Sequence, residues 1–132
     1  PRTTLSVTLV FRDGQPYGSF GTPGGDQQDQ WSSVFFLRHA HHGLNLQGAI
    51  DAPMFHNDHM PSSFFPRRAK PGSLTMEDRF DQATKDELER RGHLVEMVDG
   101  WSLGRISAVS RSGSLLRAAA NPRYMQGYAF GR

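Results

Sequence analysis

Gly21-Thr22-Pro23-Gly24-Gly25-Asp26-Gln27-Gln28-Asp29-Gln30-Trp31 is the stretch whose reading decides the fold. It follows a strand-like run, residues 16–20, and leads into Val34-Phe35-Phe36-Leu37, apolar residues at helical spacing. A Pro-Gly-Gly turn between a strand and a helix can leave backbone N–H groups pointing outward. Such donors can stabilise the negative oxygen that forms in acyl transfer. The plainer reading is a tight turn that needs glycine for positive φ. The local sequence leaves both open.

Outward from the turn, residues 5–12 (LSVTLVFR) read as a largely buried strand, and Asp13-Gly14 as a hairpin turn into a returning strand, residues 17–20. Asp26 or Asp29 can cap a helix over residues 30–42, stopped by Gly43. Asn45 can cap a second helix, 46–52, which Pro53 ends. Residues 54–71 carry Pro61, Pro66 and Pro71 and read as irregular. A short strand is expected at 74–76, then a helix at 81–91 with Leu88 inward and Gly92 as its stop. Strands follow at 94–98, 106–110 and 115–119, the last two joined at Ser112-Gly113. Hairpins with helices packed outside them point to a layered α+β arrangement.

Composition narrows the function classes. The chain has 132 residues, which fits one domain or part of one. It opens on Pro1 rather than Met, with strand-like sequence by Leu5, and so reads as a segment of a longer protein. Fifteen Lys+Arg against thirteen Asp+Glu leave a formal charge of +2, and the clusters Arg67-Arg68-Lys70 and Arg90-Arg91 read as solvated faces. No nucleic-acid partner is expected. No apolar run approaches the ~18 residues of a membrane span, so no membrane partner is expected either. Without cysteine there is no disulfide, thiolate nucleophile or sulfur-ligated metal.

Other chemistry-bearing residues have plain readings as well. Thr4, Ser6 and Thr8 fall on one strand face and Thr3 on the other; hydroxyls there can bind a carboxylate, or simply suit a strand. His39 and His42, and the loop group His56, Asp58 and His59, have metal-ligand types. The zinc-protease His-Glu-x-x-His spacing is absent, and no metal or other cofactor is expected. Pro1, beside Arg2, could act as a tautomerase-like general base if it were a mature terminus. Arg123 could pair with an acid.

Four segments in order resemble the gamma-glutamyltransferase (glutathione hydrolase) family: Thr3-Thr4-Leu5-Ser6-Val7-Thr8, Gly21-Thr22-Pro23-Gly24-Gly25, Ala52-Pro53-Met54-Phe55-His56 and Ala118-Ala119-Ala120-Asn121-Pro122-Arg123. Between them, residues 43–50 (GLNLQGAI) look like the family's helix-linking segment and Arg90-Arg91-Gly92-His93 like its late helix end. The resemblance covers the whole chain and places it in the C-terminal part of the catalytic small subunit, as a single partial domain, residues 1–132.

That resemblance implies an Ntn-hydrolase fold, a four-layer αββα sandwich with antiparallel sheets. It implies a proenzyme that cuts itself, exposing an N-terminal threonine that attacks a gamma-glutamyl amide to give an acyl-enzyme for water or an amino acid to resolve. Gly24 and Gly25 would form the oxyanion hole. Thr3 and Thr4 fall where the family has a Ser-Ser pair holding the substrate's α-carboxylate. The implied partners are a small gamma-glutamyl substrate and the upstream part of the same proenzyme, its large subunit and the N-terminal half of its small subunit. The nucleophile would lie upstream of Pro1, so the isolated chain is expected to be inactive. A divergent relative that only binds or scaffolds is the alternative. Two departures stand out: Val7 replaces a proline, and Asp26-Gln27-Gln28-Asp29-Gln30-Trp31 replaces a Ser-Arg-Ile type of sequence, as in a distinct bacterial branch.

Overall fold

The computed structural model describes residues 4–125 and 127–130, which form two compact units. Pro1 and Thr3, which carry two of the readings above, lie outside the described residues.

The first unit combines the chain up to Ala52 with the chain from Gly104 onward. Its four-stranded sheet runs β1(Val7–Arg12), β2(Gln15–Gly21), β6(Ser107–Ser112), β7(Leu115–Ala120), in spatial order β1-β2-β6-β7 and antiparallel throughout. Asp13 (φ 52°) and Gly14 (φ 73°) both adopt positive φ, the conformation that lets a two-residue turn follow the strands' twist. Pro16 pairs with Phe11 where the β1–β2 register shifts, a bulge that accommodates its missing N–H.

Two helices, α1(Gln28–Ala40) and α2(Leu46–Asp51), pack on this sheet. Phe20, Trp31, Phe35, Leu46, Ala49, Ile50, Ala108 and Ala119 are buried. The Phe20 and Phe35 rings meet at 4.9 Å and 59°, a tilted contact that suits their quadrupoles. The cap position of α1 falls on Gln27, without a side-chain cap hydrogen bond, rather than on Asp26 or Asp29, and Asp29 sits in the first turn. Gly43 (φ 70°) ends the helix, with the Leu44 N–H reaching back to the Arg38 carbonyl at 3.1 Å. Asn45 caps α2 as its side-chain type suggests, its Oδ1 accepting the Gly48 N–H at 2.7 Å.

β1 departs from the expected buried strand. Leu5, Val7, Leu9 and Phe11 are 85%, 77%, 69% and 61% exposed, while Ser6, Thr8 and Val10 are half-buried. β1 is an edge strand, and its helix-facing side carries the small and hydroxyl residues, so its apolar alternation falls on the uncovered face.

The second unit, Pro53–Leu103, holds a three-stranded sheet in the order β3(Phe55–Asn57), β4(Ser73–Glu77), β5(Leu94–Val98), with α3(Gln82–Arg90) between the last two. Two findings correct the sequence reading. Phe55–Asn57 is a strand inside the stretch expected to be irregular, and β4 pairs with β5 in parallel, so this sheet is mixed rather than antiparallel. The helix between β4 and β5 is the crossover that parallel neighbours require. Asp81 caps α3 by accepting the Thr84 N–H at 2.6 Å. Leu88 is half-buried. The architecture is α+β.

Candidate active site

The Thr22-Pro23-Gly24-Gly25 turn joins the end of β2 to the start of α1. Gly24 stands at φ 153°, and a Cβ there would meet Trp31 Cζ3 at 3.0 Å and Gln28 Cγ at 3.1 Å, so backbone and space both demand glycine. Among the described residues, neither the Gly24 nor the Gly25 N–H donates a backbone hydrogen bond, and both glycines are half-exposed. The Gly25 carbonyl accepts the Gln28 N–H at 3.2 Å, which turns the chain into the helix. Thr22 anchors the other end of the turn. Its Oγ1 accepts the Arg105 N–H at 3.0 Å and donates to the Pro23 carbonyl at 2.9 Å.

The Thr4 segment lies against this turn. A Cβ on Gly21 would fall 2.6 Å from the Ser6 carbonyl, so the approach of the two chains depends on that glycine. Ser6 Oγ donates to the Thr22 carbonyl at 2.9 Å and is therefore engaged inside the fold. The Thr4 residue is exposed.

Gln28, which sequence reasoning passed over, bridges the two segments. Its Nε2 lies 2.7 Å from the Thr4 carbonyl and 2.6 Å from the Thr22 carbonyl, and Gln28 is 5% exposed. The legible signal was a polar residue where a helix start on a sheet would bury an apolar one.

The last landmark closes on the end of α2 within the same unit, where Ala52, the first residue of the third landmark, lies. The Arg123 Nη1 donates to the Ile50 carbonyl at 2.9 Å and Nη2 to the Ala52 carbonyl at 3.4 Å, a cation on the carbonyl end of α2. Asn121 Nδ2 donates to the Gly104 carbonyl at 2.7 Å, and its Oδ1 accepts the Arg123 N–H at 2.6 Å. Asn-Pro-Arg therefore fixes the end of β7 to α2.

His39, His56, His59 and His93 have partners inside the fold, and His42 is exposed just past α1. His39 Nδ1 lies 2.7 Å from the Leu44 carbonyl and its Nε2 2.6 Å from Tyr17 Oη. The carbonyl can only accept, so Nδ1 carries a proton and donates to it. In the second unit, burial pushes the His56 imidazole below its ordinary value, against the opposing pull of Asp58 and Glu96. His59 and His93 stack at 6.4 Å. Among the described residues, no group of three or more histidines and carboxylates could hold a metal.

Glu77, also missed by sequence reasoning, is fully buried in the second unit. Its carboxylate accepts the Met54 N–H at 3.1 Å, the Leu103 N–H at 3.0 Å and Arg79 Nη1 at 3.4 Å.

Comparison with known proteins supplies the context for this geometry. The chain is 56% identical to the solved structure of LmbA2991HD, with a TM-score of 0.92, covering 100% of this chain and 24% of that one. It is 26% identical to a gamma-glutamyltranspeptidase from Pseudomonas nitroreducens complexed with L-DON, with a TM-score of 0.73, covering 96% and 60%. The glutathione hydrolase-like YwrD proenzyme of Bacillus subtilis is 28% identical over 123 residues, 91% of this chain and 22% of that protein. The chain thus spans about a fifth of that curated relative. The family model for gamma-glutamyltranspeptidase matches residues 1–131, and the glycine turn, the Thr4 segment and the Asn-Pro-Arg lock all lie inside the match: the chain belongs to the gamma-glutamyltranspeptidase family.

Proposed function

We propose that this chain is the C-terminal segment, a single partial domain, of a gamma-glutamyltransferase-like N-terminal-nucleophile hydrolase that cleaves gamma-glutamyl amides such as glutathione. An upstream threonine attacks the amide carbonyl, its own α-amino group taking the hydroxyl proton. The carbonyl oxygen becomes an oxyanion, and Gly24 and Gly25 donate their N–H groups to it. The α-ammonium passes its proton to the amide nitrogen, and collapse expels the amine and leaves a gamma-glutamyl ester on the threonine. Water or an amino acid then attacks that ester, and the threonine hydroxyl is regenerated. The Thr3 and Thr4 hydroxyls hold the substrate's α-carboxylate. The upstream part of the same proenzyme supplies the nucleophile and the rest of the substrate clamp.

The observation that carries this reading is the pair of adjacent glycine N–H donors without backbone acceptors among the described residues, at a half-exposed strand-to-helix junction. Removal of one such donor typically lowers kcat by ~10²–10³. The test uses the full-length processed protein and a gamma-glutamyl anilide. Quenched samples should show a gamma-glutamyl adduct on a peptide upstream of Pro1 and none on residues 1–132. A full-length protein that releases no aniline from the substrate, or an adduct within residues 1–132, overturns the proposal.

A further inference from the structure

We propose that Gln28 is a positioning residue, holding the Thr4 segment in register with the oxyanion turn. The proposal rests on the gamma-glutamyl reading above. A primary amide has two N–H protons, and Gln28 Nε2 has two short carbonyl contacts, Thr4 at 2.7 Å and Thr22 at 2.6 Å. Ser6 Oγ lies at 3.1 Å and donates its own proton to the same Thr22 carbonyl at 2.9 Å, closing a ring of polar groups. The two carbonyl oxygens carry like partial charge and repel. The amide protons between them offset that repulsion, beside the Ser6 bond to the same turn.

Gln28 also touches the turn at two more points. Its Cγ lies 3.1 Å from where a Gly24 Cβ would stand, and its backbone N–H donates to the Gly25 carbonyl at 3.2 Å. The turn has a second anchor, because the Arg105 N–H donates to Thr22 Oγ1 at 3.0 Å. The Thr4 carbonyl has the Gln28 amide as its tether to that turn. Loss of the amide therefore frees the Thr4 carbonyl, while the Ser6 bond keeps the strand start attached and the oxyanion side stays in place. A displacement of about 1 Å at a positioning group can cost ~10²-fold in rate.

Gln28→Met in the full-length protein keeps length, helix propensity and the Cγ beneath Gly24, and removes only the amide. Two substrates separate a positioning role from a general loss of structure: a gamma-glutamyl anilide, and a 4-aminobutanoyl anilide that lacks the α-carboxylate. The variant should raise KM for the first at least about tenfold with a smaller change in kcat, and leave kcat/KM for the second within about threefold. Hydrogen exchange should accelerate in peptides covering residues 4–8 and not in those covering residues 107–120. Equal losses on both substrates, or unchanged exchange at residues 4–8, overturn the proposal. If Gln28→Met does not accumulate, Gln28→Glu, of the same shape without the two donors, enters the same assays with the same expected outcomes. Wild-type protein inert on both anilides overturns the gamma-glutamyl reading instead, and the exchange result then decides the coupling alone.

Discussion

Gly24 and Gln28 occupy each other's space, so the turn and the first helical residue are chosen together. Gly24→Ala would set a Cβ 3.0 Å from Trp31 and 3.1 Å from Gln28 at φ 153°. Strain of that kind costs about 1–3 kcal/mol. The expected outcome is a lowered denaturation midpoint of the full-length protein together with reduced kcat; an unchanged midpoint would show that the turn relaxes freely. His56 offers a second test at this scale. Its pKa is depressed mainly by burial, so the folded state binds its proton more weakly than the unfolded chain. Stability from the neutral imidazole is therefore complete above the ordinary value of 6.5 and declines as pH falls below it. Urea midpoints of the wild type should fall between pH 8 and pH 5.5, and His56→Gln should flatten that slope. The glycines were legible because the residue type announces the conformation. Gln28 was not, because its partners Thr4 and Thr22 sit 24 and 6 positions away and only folding brings them to one nitrogen.

Elements were legible where their signals are local. The Asp13-Gly14 hairpin, the Asn45 cap and the glycine stops at Gly43 and Gly92 all act within a turn of the chain. Asn45→Ala should cost about 1 kcal/mol, readable as a lower melting temperature, because the Gly48 N–H loses its acceptor; Asn45→Asp, which keeps an acceptor oxygen, should recover most of it. β3 was hidden because a three-residue strand has almost no pattern of its own. Its hydrogen bonds come from β4, Phe55 facing Met76 and His56 facing Thr75. The parallel β4–β5 pairing was equally hidden, since periodicity reports a strand but not the direction of its neighbour.

At the scale of the whole molecule, one face of the four-stranded sheet is apolar and uncovered among the described residues: Leu5 just before β1, Val7, Leu9 and Phe11 on β1, with Val109 and Leu116 from β6 and β7. Residues 1–132 alone should bind an apolar-surface dye and self-associate as concentration rises, whereas the full-length protein should do neither. A monodisperse, dye-silent fragment would contradict this expectation. The same fragment should release no aniline from a gamma-glutamyl anilide. The residue order alone determined the strand–turn–helix around Gly24-Gly25, the hairpins, the Asn45 cap and the family, because each rests on local conformational preference or on ordered motifs. Tertiary structure decided which landmarks meet. It set the Thr4 segment against the glycine turn through Gln28, and it set Asn121-Pro122-Arg123 against the end of α2. It also left the apolar side of β1 facing outward. Those outcomes depend on hydrogen bonds and packing between distant segments, which no local window of sequence contains.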